Sequence, residues 1–290
     1  MEKIIKIKHM GNIGNRMFQY MFAKTLQMKI KKSIVVGYDI PEWNLVCKSN
    51  VEIPEKHIVV SGHNINIEYI AYLMNSDIID GVICNVWGMR MEYYLNSDIF
   101  RSMFFSSNEN KIGFGCNDLV INIRSAEIIR GLHNDYTPLQ FEFYRHIITK
   151  TGLKPIFMGQ TSGSDPYCTA LREEFNFATF LDSDGAENDF HTMMNSKNIV
   201  MSVSSFSWLA CWFSRDSIIH MPVSGIFNPK QRKDVNLLPV DDCRYKFYYF
   251  DPKKWRGTDA EIESLIRSDA EFYDITTDDV KILVSQNVGF

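Results

Sequence analysis

The sequence predicts an α/β protein of two Rossmann-like domains, each built on a parallel sheet, facing one another across a cleft. Three observations carry that expectation. Short apolar runs of strand length alternate with longer runs at helical spacing, and they do so in two separate blocks. A polar, Gly-containing stretch at 106–118 separates the blocks and suits a linker. Four serines (Ser202, Ser204, Ser205 and Ser207) stand where an apolar strand at 198–201 gives way to an apolar helix at 206–214. In an open α/β sheet that junction is where a helix start offers N–H groups to an anion such as a phosphate, although serines also cap buried helices with no ligand involved. At 290 residues, 45% of them hydrophobic, the chain is long enough for two such domains.

In the first block, alternation over 4–8 predicts a strand, and 9–16 a loop holding Gly11 and Gly14. Phe18, Met21, Phe22 and Leu26 fall on one face of a helix over 17–30, and 33–37 is a second strand, which opens the chain as a βαβ unit. Pro41 and Pro54 make 38–64 irregular; a helix at 69–75, a strand at 78–86 and a helix at 91–104 follow. The second block alternates a strand at 119–123, helix 139–151, strand 155–158, helix 166–175, strand 178–181, helix 188–195, strand 198–201, helix 206–214 and strand 217–221. An aromatic run at 245–250 and helices at 259–268 and 277–285 complete the chain. The domains are expected at 1–115 and 116–250, with 251–290 a helical tail packing back on them.

Composition excludes several classes of function. A net charge of −4 with no basic tract disfavours nucleic acid. No apolar run is long enough to span a membrane, and the opening decapeptide is too short and too charged for a signal peptide. Six scattered cysteines without a CxxC pair argue for reduced thiols in a cytoplasmic protein, and seven histidines without an HxxxH pattern do not indicate a metal. Asp182-Ser183-Asp184 is the one acidic triplet, and its Gly-containing surroundings suit a solvated turn.

The loop after the first strand, His9 to Tyr20, sets Gly11, Gly14, Asn15 and Arg16 at a strand-to-helix turn. There glycine admits a close backbone approach and the helix start favours negative charge. The run GNIGNRMFQYMFAK resembles the N-terminal motif of bacterial alpha-1,2-fucosyltransferases, GxLGNQMFQYAxG. The stretch from Ser202 to Trp212 is similar to that family's later S-x-S-T/S-F-S-W-W-A-A-W. The resemblance implies an inverting, metal-independent glycosyltransferase of the two-domain GT-B type, with no cofactor and a nucleotide sugar, GDP-fucose, as donor substrate. It implies a surface-glycan hydroxyl as acceptor, and at most peripheral membrane association through a lipid-linked acceptor.

Between the two motifs the family carries H-x-R-R-G-D, where this chain has Asn122-Ile123-Arg124-Ser125-Ala126-Glu127. Arg124 keeps the first arginine, while Asn122, Ser125, Ala126 and Glu127 depart from the pattern. As a sugar leaves its nucleoside diphosphate, charge accumulates on the β-phosphate, and a planar guanidinium stabilises it without a metal. An Arg124–Glu127 salt bridge of purely structural kind is the plainer reading.

An inverting transfer also needs a base. Glu127 lies beside Arg124 and suits orienting that arginine as much as taking a proton. His133, whose imidazole type titrates near neutral pH, is the alternative. The polar loop through His133, Asp135 and Tyr136 suits contacts over the cleft. Gly159 and Gln160, where the family has F-S-D-D, end a strand within reach of a base or ribose. Asp189 matches a family aspartate that helps hold the nucleotide, or else complements the dipole of its helix, with Ser204, Ser205 and Phe206 around the diphosphate. The competing class is a nucleotide- or carbohydrate-binding protein that has lost catalysis, or a transferase with another donor.

Overall fold

The computed structural model describes residues 2–47, 51–94, 96–105, 113–267 and 271–286. The chain divides into two compact units, residues 1–109 with 234–237 and residues 110–233 with 238–290. Most of the linker expected at 106–118 lies outside the described residues.

The first unit contains β1 (Lys3–Ile7), α1 (Ile13–Lys29), β2 (Ser33–Val36), β3 (Asp39–Ile40), β4 (Leu45–Val46), β5 (His57–Gly62), α2 (Ile67–Asn75), β6 (Gly81–Val86) and α3 (Ser97–Phe104). Its four main strands are all parallel, in the order β2-β1-β6-β5, while β3 and β4 pair as a separate hairpin. Met17, Phe18, Met21, Phe22 and Leu26 of α1 are all buried, which is the apolar stripe its spacing predicts. Gln19 is buried among them, and its amide exchanges two hydrogen bonds with the backbone of Met10, at 3.2 and 3.0 Å. That pairing fixes the loop after β1.

Two expectations fail here. The irregular stretch at 38–64 contains β5, an edge strand whose side chains are half-buried at best and whose sequence therefore carries little apolar contrast. The helix expected over 91–104 begins as a 3-10 turn at Met91–Tyr93 and restarts at α3. Asn96 caps α3 by accepting from the Asp98 N–H at 2.8 Å.

The second unit contains β7 (Asp118–Ile123), α4 (Ala126–Ile129), α5 (Phe141–Thr151), β8 (Lys154–Gly159), α6 (Pro166–Glu174), β9 (Thr179–Phe180) and α7 (Ala186–Asn195). It continues with β10 (Asn198–Val200), α8 (Ser205–Phe213), β11 (Ile218–Val223), β12 (Tyr245–Phe250), α9 (Asp259–Arg267), β13 (Phe272–Ile275) and α10 (Thr277–Ser285). The seven-stranded sheet has the order β13-β12-β11-β10-β7-β8-β9, and only β13 runs antiparallel to its neighbour. Counted from β9, the first six strands stand in the Rossmann order 3-2-1-4-5-6, so the winding reverses between β7 and β10. Strands buried on both faces need unbroken apolar runs, and β10 is buried throughout. The serine-led helix α8 is a core helix, with Trp208 fully buried and stacked on Trp212 at 5.5 Å.

Corrections again fall at the sheet margins. The aromatic run at 245–250 is β12, a full parallel strand beside β11. Residues 251–290 hold β13 between the two expected helices, and a short helix, α4, for which no element is expected, follows β7. A cavity of about 540 Å³ opens at the amino-terminal ends of β10–β12, lined by Asn198, Ile218, Tyr245 and Lys246 among others. That is the end of the sheet away from the carboxyl termini of β7 and β10.

His220 on β11 lines the same cavity, with Nδ1 2.8 Å from the Tyr248 hydroxyl. Burial, helped by the charge of Lys150, lowers its pKa to about 4. Unfolded, the imidazole titrates near 6.5, so between pH 6.5 and 4 the unfolded chain binds a proton that the folded one refuses. Its contribution is complete above pH 6.5 and is lost as pH falls toward 4, a swing on the order of 3 kcal/mol. His220→Gln is expected to flatten the dependence of unfolding free energy on pH across that window, read by urea denaturation at pH 4.5, 5.5 and 7.

Candidate active site

The site is built where β7 and β10 lie side by side and the chain leaves them in opposite directions. Ser202, just past β10, donates its hydroxyl to Asn122 Oδ1 of β7 at 2.7 Å, tying the two strand ends together. Ser207 Oγ reaches back to the carbonyls of Ser202 (2.8 Å) and Ser204 (3.1 Å), closing the turn. Ser204 is the N-cap of α8, and its hydroxyl accepts from the Phe206 N–H at 3.2 Å. The serine cluster thus holds its own turn, and the Phe206 N–H expected to face a diphosphate already has a partner. Asn122, Ser204 and Ser205 are all buried, and the start of α8 keeps the positive end of its dipole at this point.

On the other flank, Gln160 follows β8 and clamps Ser125. The Ser125 N–H donates to Gln160 Oε1 at 3.0 Å and its hydroxyl to the Gln160 carbonyl at 2.7 Å. Where the fucosyltransferase-like motif has a second arginine, this chain has a buried serine bound to the neighbouring strand end. The Ser125 hydroxyl also lies 3.2 Å from Cys168 Sγ, a thiol pushed up to about 11 by burial. Gly159 has φ +89°, and a Cβ there would lie 2.7 Å from the Ile123 carbonyl and 2.9 Å from Asn122 Nδ2. Only glycine fits that contact. Ala126, at the glycine position of the same motif, has φ +31°, a left-handed backbone that costs an alanine strain.

Arg124 emerges between these two clamps and forms an ion pair with Glu127, both side chains partly accessible. His133 is exposed, with its ring 5.7 Å from Tyr136. Asp135 accepts from Lys254 Nζ at 2.6 Å, Gln231 Nε2 at 3.0 Å and Arg232 Nη1 at 3.5 Å. Burial alone raises its pKa, but the hydrogen bonds from Lys254 and Gln231 outweigh it and the net shift is downward. Burial pushes the Tyr136 hydroxyl up, against the charges of Arg232 and Arg124. Asp189, in the first turn of α7, accepts from the Ser183 hydroxyl at 2.7 Å, and burial raises its pKa. Its neighbour Phe190 packs edge-on against Phe206 at 5.2 Å.

The remaining candidates belong to the first unit. Gly11 has φ +68° in the loop after β1, and Gly14, Asn15 and Arg16 lie in the first turn of α1. Arg16 donates to the Asp39 carbonyl at 2.8 Å and contacts Glu42 at 3.4 Å, so it is engaged within its own unit. Sequence reasoning noted Ser125 only as a departure from the motif and passed over Lys254 and Arg232. The run Lys230-Gln231-Arg232-Lys233 is the signal that marks the second of these. Among the described residues, no group of three or more His, Cys, Asp or Glu side chains is placed to hold a metal ion. No helix among them is long and apolar enough to cross a membrane, and the six cysteines are unpaired.

No family model matches the sequence, and no curated protein matches it at a significant level. Among solved structures, the E. coli heptosyltransferase WaaC with ADP aligns over 99% of this chain and 100% of its own. The identity is 10% and the TM-score 0.39, a likeness too low to bear on activity.

The two backbone positions make opposite predictions. Gly159→Ala is expected to lower the unfolding free energy by about 1–3 kcal/mol, whereas Ala126→Gly is expected to raise it by up to about 1 kcal/mol. Urea denaturation of both variants checks this, and a destabilised Ala126→Gly would remove strain from the account of the Arg124 turn.

Proposed function

We propose that the chain is an inverting, metal-independent glycosyltransferase that moves a sugar from a nucleoside diphosphate donor to a hydroxyl of a glycan. One observation carries the reading. Arg124 leaves the carboxyl end of β7 at the point where the sheet's winding reverses, beside the buried serine turn that starts α8. A guanidinium and a helix start flanking a switch point suit a diphosphate.

In the reaction, the acceptor oxygen bonds to the anomeric carbon as the bond from that carbon to the diphosphate breaks. The electron pair leaves with the diphosphate, Arg124 stabilises the charge developing there, and the acceptor proton passes to Glu127 or His133. The choice of GDP-fucose as first donor and a surface-glycan acceptor rest on the resemblance to alpha-1,2-fucosyltransferases, and a cytoplasmic location on the scattered, unpaired cysteines.

A second reading has its own observation. Asn122 and Ser125, which replace a histidine and an arginine of that family's motif, are both spent on internal hydrogen bonds. A nucleotide- or carbohydrate-binding protein without turnover fits that as well. Thermal shift with GDP, UDP, CDP, CMP and their sugar conjugates, followed by a turnover assay, separates the two.

GDP or GDP-fucose is expected to give the largest shift, with about 2.7 kcal/mol of apparent stabilisation at 100 times the dissociation constant. A dominant UDP or CMP compound replaces the fucosyl donor and keeps the transferase; binding without sugar release selects the second reading. Arg124→Ala is expected to lower turnover by about 10²–10³-fold with the fold intact. Arg124→Lys should recover little, because a lysine lacks the planar fork. Turnover near wild type in the alanine variant would remove Arg124 from the mechanism.

A further inference from the structure

We propose that Arg232 is the second cation of the diphosphate subsite, set there by Asp135; this rests on the nucleotide-binding reading given above. The position lost at Ser125 leaves β7 with a single guanidinium, Arg124, and that one is paired with Glu127. A leaving diphosphate carries more than one negative charge, so a site built on one arginine needs another donor nearby.

Arg232 reaches the same place from a different part of the chain. Asn228, which is wholly buried, donates to the carbonyls of Val223 (3.4 Å) and Phe250 (2.8 Å), and its own carbonyl accepts from the N–H groups of Gln231 and Arg232, both at 2.9 Å. The backbone of Arg232 is therefore fixed before any ligand arrives. Its side chain meets Asp135, which also takes Lys254 and Gln231, and Gln231 in turn exchanges hydrogen bonds with the backbone of Lys253.

This knot lies against the serine turn. A Cβ on Gly225 would collide with the Asp135 carbonyl and stand 3.0 Å from Val203, the residue between Ser202 and Ser204. Asp135, Gly225 and Val203 are thus in successive contact. The hydroxyl of Tyr136, next to Asp135, feels the charges of both Arg232 and Arg124. Arg232, held by Asp135 beside the serine turn, and Arg124 at the end of β7 thus both lie within electrostatic reach of the Tyr136 hydroxyl. A guanidinium carries five N–H donors in a planar fork, so Arg232 can hold a carboxylate on one edge and reach an anion with another. Asp135 touches no substrate in this scheme and is a positioning residue.

The test uses calorimetry of inorganic pyrophosphate, inorganic phosphate, GDP and GMP against the full chain and its R232A, R232K and D135N variants, with the unliganded thermal midpoint measured for each. R232A is expected to weaken GDP and pyrophosphate about 10- to 100-fold, the range for loss of a charge-assisted hydrogen bond, and GMP and phosphate by less than about threefold. R232K should recover part of the loss, and D135N should weaken GDP less than R232A does, with unliganded midpoints close to wild type.

Wild-type affinity for GDP and pyrophosphate in R232A overturns the inference and leaves the nucleotide reading standing. An equal loss for all four ligands together with a lowered midpoint assigns Arg232 to the fold and also overturns it. Failure of the wild-type chain to bind any of the four removes the nucleotide reading and this inference with it.

Discussion

The second unit depends on one constraint, the reversal of winding between β7 and β10. These strands are hydrogen-bonded neighbours, yet the whole β8-to-α7 excursion separates them in sequence, and the chain departs from their carboxyl ends in opposite directions. That geometry opens a crevice whose polar backbone ends need partners. The Ser202 hydroxyl on Asn122 Oδ1 spans it, and Ser204 and Ser207 satisfy the rest of the turn. Ser202, Ser204 and Ser207 each have a local task in this turn. The two strand ends are tied together by these hydrogen bonds, and the charged group that follows β7 is Arg124.

The same constraint bears on the residues beside Arg124. A residue at 125 must satisfy its own N–H against Gln160 while fitting a buried place beside Cys168. A serine does both; an arginine at that position would have to leave the pocket. Position 126 needs a left-handed backbone because the chain turns sharply from β7 into α4, and alanine adopts it at a cost. Strain of this kind persists where the surroundings over-determine the backbone. Here the clamp at Ser125 and the buried Ile128 and Ile129 of α4 do so.

Much of the second unit was legible because its strands are buried on both faces. Runs such as 119–123 and 198–201 are apolar but for one asparagine each, Asn122 and Asn198, and β7 and β10 lie within about a residue of those bounds. The strands that were missed are those the sheet covers least or that chemistry disguises. β5 lies at an edge with polar His57, Ser61 and Gly62 among its six residues, and β13 is a four-residue antiparallel edge. β12 alternates Lys246 with aromatic residues, and that run carries no signal separating a strand from an aromatic surface segment. At the site, Arg124 and the serine turn could be found because strand end and helix start are sequence signals. Of the partners of Asp135, Arg232 lies in a basic run but nothing marks Lys254, which is more than a hundred residues away and is brought back only by the fold.

Distance along the chain is also what gives the Asp135 knot its meaning. A cation held by neighbours in sequence is set by local propensity, whereas one held by three separate loops is set by the tertiary structure and loses its position when any one of them moves. Asp135 joins the loop before α5 to the turn after β11 and to the strap after β12, and Trp255 on that strap is fully buried with its indole N–H on the Ile128 carbonyl at 2.9 Å. That bond anchors the strap to α4, whose first turn carries Glu127, the partner of Arg124. Arg124 and Arg232 are therefore not independently placed: both are referred to α4 and the strap that crosses it. Residues 254 and 255 of the strap thus bear on both arginines, Lys254 through the Asp135 carboxylate that Arg232 shares and Trp255 through the helix that carries Glu127.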